Sequence, residues 1–207
     1  MNSSAASQEL LDVVDENDRV VGKERRGIIH ARGLMHRSAQ VLVFNSNGEL
    51  FLQKRSKSKD EFPGLWDSSA AGHLDLGESY SDCARRELEE ELGIRGTEEL
   101  EPQCRLPASA ETGFEHCAVF RCTHDGPLAL DPDEVEDGRW VSPGEMDCLV
   151  ADPDSGLTPA VRRIWRLVRK TVSEYDSEHL LIGPDAARSR SVSYTHLRAH
   201  ETERLIS

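Results

Sequence analysis

Apolar residues alternate with polar ones, or form short runs, in several segments of the first 141 residues. Residues 9–24 predict a hairpin, with LLDVV and VVG on either side of the polar turn DENDR. The runs AQVLVFN at 39–45 and ELFLQK at 49–54 predict two more strands, joined by a Ser46-Asn47-Gly48 hairpin turn. Residues 114–124, FEHCAVFRCTH, predict a central strand, and residues 139–141 a short strand after the acidic loop LDPDEVEDG. One part of the fold is therefore predicted to be a β-sheet.

A helical period marks two other segments. Tyr80, Ala84, Leu88 and Leu92 recur every fourth residue and would form one apolar stripe for the core. Ser79 is a candidate N-cap with Asp82 three residues on, and Gly93 is a candidate C-cap, so a helix of about four turns lies between them. Residues 157–174 have apolar side chains at helical spacing and predict a C-terminal helix. Mixed strands and helices predict the α/β class, with a sheet sandwiched between helices.

The chain of 207 residues suits one well-packed domain with short extensions. We predict a flexible N-terminus at 1–8, a single domain at 9–176 with its core at 35–170, and a flexible segment at 177–190. Residues 191–207, SVSYTHLRAHETERLIS, have no apolar periodicity and resemble one reading frame of a sequencing-library adapter. We interpret this tail as non-native and exclude it from the site argument.

The composition narrows the classes of partner. A net charge of −13 argues against nonspecific nucleic-acid binding, because a polyanion would be repelled. The five cysteines are odd in number and show no Cys-x-x-Cys spacing, which favours a reducing compartment. The first 18 residues have no basic region followed by an apolar run, so we predict no secretory signal, and no segment approaches the roughly 20 apolar residues that span a bilayer. We therefore predict a cytoplasmic protein without a membrane partner, and a homodimer remains open.

Three acidic residues of the first predicted helix share one face. Glu87 and Glu91 are four residues apart, and Glu90 is three from Glu87. Like charges at this spacing repel by roughly 0.2–0.5 kcal/mol per pair. A hard divalent cation reverses that sign, because Mg²⁺ prefers carboxylate oxygens together with substrate phosphates. The alternative is an ordinary acidic surface helix with Arg85 and Arg86 as local partners.

Residues 72–94, GHLDLGESYSDCARRELEEELGI, fill every specified position of the pattern G-x5-E-x7-R-E-U-x-E-E-x-G-U, where U is a bulky aliphatic residue. The chain therefore resembles the Nudix hydrolases, metal-dependent enzymes that cleave diphosphate linkages. The resemblance implies an α/β/α sandwich with a mixed sheet, and Mg²⁺ or alternatively Mn²⁺ as cofactor. It implies metal ligands at the Gly72 carbonyl, Glu87, Glu90 and Glu91, an orienting role for Arg86 and a supporting role for Glu78.

Two stretches outside this box, HARGLMHRSAQVLVFN and LQKRSKSKDEFPGLWDSSAAGH, resemble the Nudix branch that includes isopentenyl-diphosphate isomerase. In that isomerase, histidines and glutamates hold a metal, and a cysteine before the box glycine transfers a proton. Positions matching those ligands are His30 (after a one-residue gap), His36, His73 and Glu115. Gly113 replaces a further glutamate and Ala71 replaces the cysteine. A methyl group cannot transfer a proton, so these departures and the intact box favour hydrolysis. Each histidine could instead simply pack or meet solvent.

A basic run, Lys54, Arg55, Lys57 and Lys59, precedes the box. A cation near developing phosphate charge lowers the barrier to cleavage. Arg55 and Lys59 match diphosphate contacts of the isomerase branch and are the predicted substrate-binding pair. Glu115, and as a second candidate Glu134 in the acidic loop, could supply a glutamate from outside the box as metal ligand or base.

The sequence thus predicts Mg²⁺-dependent hydrolysis of a small-molecule diphosphate, a nucleoside diphosphate derivative or a related organic diphosphate. Glu87, Glu90, Arg86 and Glu115 are the predicted catalytic residues, with His36 and His73 in support. The alternatives are an isomerase and a Nudix fold that binds ligand without turnover.

Overall fold

A computed structural model describes residues 7–96 and 99–180, with residues 170–180 described by their backbone alone. The strands within this part are β1 (Leu10–Val14), β2 (Val20–Arg25), β3 (His36–Phe44), β4 (Leu50–Arg55), β5 (Trp66–Asp67), β6 (Ala70–His73), β7 (Glu101–Leu106), β8 (Glu115–Thr123) and β9 (Val135–Val141). The helices are α1 (Arg26–Arg32), α2 (Tyr80–Leu92), α3 (Pro143–Ala151) and α4 (Pro159–Leu180), with a 3₁₀ turn at Ala110–Thr112.

The larger sheet is mixed. Its strand order is β5-β4-β3-β8-β7, with β6 also paired to β3 and β9 paired to β4. Strands β3 and β8 run parallel over their whole length, and the other pairs are antiparallel. Along β3, strand β6 pairs with residues 38–41, whereas β4 pairs only at Phe44. The sheet therefore splits between β4 and β6, and side chains from α2 reach into this split.

Each face of the sheet carries its own core. Val41 and Val43 pack with apolar residues of α2, including Leu88 and Leu92. On the opposite face, Leu42 and Phe44 pack with apolar residues of α3 and α4. Successive residues of a strand point to opposite faces, which explains how one apolar run serves both cores. The predicted α/β/α sandwich with a mixed sheet is confirmed.

The predicted hairpins at 9–24 and 39–54 are confirmed as β1–β2 and β3–β4. The last strand is longer than the predicted 139–141, because the end of the acidic loop pairs with β4 from Val135 onward. The C-terminal helix predicted at 157–174 is confirmed as α4, which ends at Leu180. The predictions for residues 1–6, 181–190 and 191–207 lie outside the described residues.

The sequence patterns did not predict two of the helices, α1 and α3. Helix α3 has a usable signal, since Ser142 caps it by accepting from the Glu145 amide and Pro143 is its first residue. Helix α1 has only seven residues and no N-terminal side-chain cap, and its one local signal is Gly33, which ends it with a φ of 60°. Its position follows from the β1–β2 hairpin, whose last residue immediately precedes it. Among the described residues, no helix combines the length and apolar character that a membrane span requires.

Candidate functional site

The capping signals of the sequence orient α2 as predicted. Ser79 accepts a hydrogen bond from the Asp82 amide, and Gly93 ends the helix with a φ of 67°. Ala84, Leu88 and Leu92 are buried against the sheet. Because this apolar face packs on the sheet, the side chains of Glu87 and Glu91 point toward the split between β4 and β6, where both are buried.

Gly72 of β6 lies directly against Glu87. A Cβ atom added at Gly72 would come within 1.8 Å of Glu87 Oε1 and 2.1 Å of its Cδ. Real Cβ atoms do not approach other heavy atoms this closely, so the position admits only glycine while Glu87 holds its place. The box glycine is therefore needed for the close approach of strand and carboxylate, and this approach also brings the Gly72 backbone beside the acidic face.

Glu91 is held from several directions. Its Oε2 accepts hydrogen bonds from Gln53 Nε2 at 2.9 Å and from the Ala71 amide at 3.0 Å. Its Oε1 faces Lys59 Nζ at 3.6 Å and has no hydrogen-bond partner, although the residue is only 1% exposed. Buried polar atoms without partners are rare and call for an explanation. An unpartnered carboxylate oxygen beside a second buried carboxylate fits a hard divalent cation.

Burial raises the proton affinity of both carboxylates. Burial, followed by the charge of Glu91, raises the pKa of Glu87 to about 8, against the opposing effect of Arg86. Burial also raises the pKa of Glu91, against the opposing effects of Lys59, the Ala71 amide and Gln53. A bound cation would oppose both shifts, because its positive charge favours the ionised form of each carboxylate.

We expect the melting temperature of the metal-free protein to fall as the pH rises from about 5 to about 8. The folded-state pKa of Glu87 lies above its ordinary value of 4.5, so the folded chain binds a proton that the unfolded chain lacks in this window. That stabilising contribution is lost as the pH passes through the folded-state pKa of about 8. Thermal melts in EDTA check the slope, which Glu87→Gln should flatten and which Mg²⁺ should counteract. A slope unchanged in Glu87→Gln would contradict this assignment.

Arg86 joins three carboxylates. Its guanidinium donates to Glu78 at 2.9 and 3.0 Å, to Glu87 Oε1 at 2.6 Å and to Glu90 Oε2 at 3.2 Å. A planar guanidinium bound in this way fixes the direction of the carboxylates it contacts. The structure separates the predicted trio, because Glu87 and Glu91 are buried whereas the Glu90 side chain is 50% exposed at the rim.

A second group of candidate ligands lies at one end of the sheet. It consists of His30 from α1, His36 from β3, His73 from β6 and Glu115 from β8. One ligand atom from each lies within 4.8 Å of every other. The four ligand atoms of a tetrahedral zinc ion at about 2.0–2.1 Å lie about 3.4 Å apart, so the cluster would contract by at most roughly 1.4 Å to hold one. Imidazole and carboxylate ligands together fit a first-row transition metal better than Mg²⁺.

The outer contacts of these histidines suit metal binding. His30 Nδ1 lies 3.2 Å from Glu61 Oε1, and His36 Nδ1 lies 3.0 Å from the Leu34 carbonyl. As donors, these Nδ1 atoms leave each Nε2 with a free lone pair, and both Nε2 atoms are buried without a hydrogen-bond partner. A histidine that ligates a metal almost always donates its other N–H to a carboxylate or a carbonyl in this manner.

Glu115 anchors the cluster. Burial opposes its ionisation, but His36 and His73 outweigh burial and hold the pKa of this carboxyl well below its usual range. His73 Nε2 lies 3.3 Å and His36 Nε2 3.6 Å from Glu115 Oε1. Gly113 has a φ of 65°, which favours glycine over the glutamate that the isomerase resemblance leads one to expect there.

The predicted substrate cations both have partners. Arg55 pairs with Asp67 at 3.2 Å, and Lys59 pairs with Glu134 and Glu91. Glu134 thereby lies next to the box carboxylates, although it comes from the acidic loop. Sequence reasoning missed Gln53 and Glu61, which orient Glu91 and His30, because a lone polar residue in a strand or loop carries no local signal.

Comparison with known proteins agrees with this geometry. The family model described as NUDIX domain matches residues 34–163. An uncharacterised Nudix hydrolase of Streptomyces coelicolor is 48% identical over 167 residues, which cover 78% of this chain and 92% of the relative. Another, of Pseudomonas aeruginosa, is 42% identical over 140 residues, covering 68% of this chain and 82% of the relative. The crystal structure of DR0079 from Deinococcus radiodurans superimposes with a TM-score of 0.67 at 28% identity, covering 78% of this chain and 98% of that one. With its box carboxylates gathered at the split sheet and its matched region spanning most of the fold, the chain belongs to the Nudix hydrolase family.

Proposed function

We propose that the protein hydrolyses the diphosphate linkage of a nucleoside diphosphate derivative or a related organic diphosphate with the help of Mg²⁺. One observation carries this proposal: two buried carboxylates, Glu87 and Glu91, converge beside Gly72, and Glu91 Oε1 has no hydrogen-bond partner. Arg86 and Lys59 offset the cost of burying these two carboxylates only in part, since burial still raises the pKa of both, and a bound cation would compensate further.

Glu87, Glu91 and the Gly72 carbonyl would hold the metal. When bound, Mg²⁺ supplies Lewis-acid chemistry, since it draws charge from phosphoryl oxygens and lowers the pKa of water. Arg86 keeps Glu87 and Glu90 in fixed directions through the contacts described above. Glu90 lies at the half-exposed rim, within reach of solvent, and is the carboxylate we assign to accept the proton of the attacking water. Glu115 suits this task less well, because its carboxylate faces His36 and His73 in the second cluster.

We also propose that His30, His36, His73 and Glu115 hold a transition metal ion. Replacing His36 by alanine should reduce the metal bound after purification from about one equivalent to a small fraction, because loss of one ligand costs far more than loss of an outer contact, itself worth 10–100-fold. Elemental analysis of the dialysed protein measures the metal. His116→Ala is the matched control, since this buried histidine of β8 lies outside the cluster and should retain the metal. Equal metal in wild type and His36→Ala would refute the centre.

The histidine cluster also gives the isomerase alternative some support, because its members match the metal ligands of that branch. Ala71 argues against it. This residue offers the box site only its backbone amide, which donates to Glu91, and its methyl group can neither give nor take a proton. Hydrolysis therefore remains the proposed reaction.

A panel of diphosphates incubated with Mg²⁺ tests the function. It should include sugar nucleotides, dinucleotides, coenzyme A and isopentenyl diphosphate, and the readout should be the phosphate-bearing products identified by mass. Two such products from at least one compound support hydrolysis. Conversion of isopentenyl diphosphate without phosphate release would replace the proposal with isomerisation, and binding without any turnover would point to a ligand-binding Nudix protein.

A further inference from the structure

Lys59 lies where the box carboxylates and the acidic loop meet. Its ammonium hydrogen-bonds to Glu134 and lies 3.6 Å from Glu91 Oε1, the oxygen that has no hydrogen-bond partner. The side chain is only 19% exposed. The lysine thus supplies positive charge to the same oxygen that would face a divalent cation.

A metal ion and an ammonium group cannot share this oxygen without cost. Like charges a few ångströms apart repel strongly where water is scarce, and Glu91 is almost fully enclosed. We propose that a divalent cation displaces the Lys59 ammonium from Glu91, and that the displaced ammonium is then free to contact a phosphate of the substrate. This inference rests on the proposed function, and it makes Lys59 a residue that orders the two binding events, metal before substrate.

The surroundings of Lys59 allow its ammonium to move while its backbone stays in place. The Ser56 amide donates to the Glu134 carbonyl at 3.0 Å, and Ser58 Oγ donates to the Asp133 carbonyl at 2.9 Å. The Lys59 amide in turn donates to the Ser56 carbonyl at 3.2 Å, so the Lys59 backbone is held against the acidic segment. The flexible four-carbon stem of lysine can swing its charge without moving the loop. Glu134 accepts from the same ammonium, so the displaced group stays near the site.

In the proposed exchange, the metal takes the place of the Lys59 ammonium at Glu91, while Glu87 pairs with Arg86. Lys59 Nζ lies 3.6 Å from Glu91 Oε1, so its charge stabilises the ionised carboxylate. The same attraction that stabilises the carboxylate must be broken when the metal binds, so the lysine weakens metal affinity. Removing its charge while keeping its apolar stem should therefore strengthen metal binding.

The test is the Mg²⁺ affinity of the purified full chain, measured by calorimetry. Lys59→Met should bind Mg²⁺ on the order of tenfold more tightly than wild type. Lys57→Met is the matched control, because it removes the same charge from the same loop at a side chain that is 81% exposed. Its Mg²⁺ affinity should stay within about twofold of wild type, since exposed charges are screened. Lys59→Arg, which keeps the charge, should bind Mg²⁺ no more tightly than wild type.

Inorganic pyrophosphate serves as the probe for the second half of the proposal. In saturating Mg²⁺, Lys59→Met should bind pyrophosphate several-fold more weakly than Lys57→Met, because Lys59→Met lacks the ammonium group that would contact a phosphate. A damaged fold would weaken both ligands, whereas the proposal requires tighter metal and weaker pyrophosphate. Unchanged or weaker Mg²⁺ binding in Lys59→Met would overturn it, and so would unchanged pyrophosphate binding. Absence of Mg²⁺ binding by the wild type would instead refute the proposed function itself.

Discussion

Replacing Glu91 by glutamine is expected to lower Mg²⁺-dependent diphosphate hydrolysis by about 10²–10³-fold, the range that one group stabilising developing charge contributes. Glutamine has nearly the volume of glutamate but no negative charge, so the variant should bind Mg²⁺ much more weakly. The fold should survive, because the oxygen of the new amide can still accept from Gln53 Nε2 and the Ala71 amide. Product release with Mg²⁺ and calorimetric Mg²⁺ affinity are the two measurements.

Glu89→Gln is the matched control for this substitution. Glu89 is on the same helix, but its side chain is 55% exposed and pairs with Arg95. Its replacement should change neither activity nor Mg²⁺ affinity. The metal-free Glu91→Gln protein should melt no lower than wild type, since burial raises the pKa of Glu91 and disfavours its charged form. Wild-type turnover in Glu91→Gln would remove this carboxylate from the metal site.

Replacing Gly72 by alanine is expected to abolish most of the activity and to destabilise the fold by about 1–3 kcal/mol, the usual cost of overpacking. The added Cβ would lie 1.8 Å from Glu87 Oε1, so the carboxylate must leave its place. Its departure would also disturb the 2.6 Å contact with Arg86. Activity with Mg²⁺ and denaturant unfolding check the two effects separately.

Gly22→Ala in β2 provides the control, because a Cβ there meets no atom within 4 Å. It should leave activity and stability close to those of wild type. The double variant Gly72→Ala/Glu87→Asp should recover part of the stability, because the shorter aspartate leaves room for the alanine Cβ. It should not recover the activity, because the aspartate carboxylate does not reach the position of the Glu87 carboxylate. Full activity in Gly72→Ala would show that Glu87 is not fixed by this contact.

Local sequence was sufficient for the box helix. The apolar period, the Ser79 cap and Gly93 all lie within a few residues of the bonds they form, so α2 was predicted within one turn. The same holds for the two hairpins, whose turns join strands adjacent in the chain. Helix α1 has only seven residues and no N-terminal side-chain cap, so Gly33 at its end was too weak a local signal to predict it.

The histidine cluster could be predicted only in part from the sequence. Its members come from four elements spread between residues 30 and 115, and the sequence could suggest them only by resemblance. Their convergence depends on the pairing of β3 with β6 on one side and β8 on the other, which sets Ser38 opposite both His73 and Cys117. Such pairings between distant segments are decided by packing of the whole sheet.

By itself the sequence determined the α/β class, the box helix and the presence of an acidic face on it, because these follow from periodicity and capping within a few residues. Only the tertiary structure decided that Glu87 and Glu91 are buried while Glu90 stays at the rim, that Lys59 faces Glu91, and that Glu61 stands behind His30. The physical reason is that burial and charge pairing are set by contacts between segments far apart in the chain. The energy of burying or pairing a charged side chain depends on how much water the surrounding segments exclude, and no local sequence pattern encodes this.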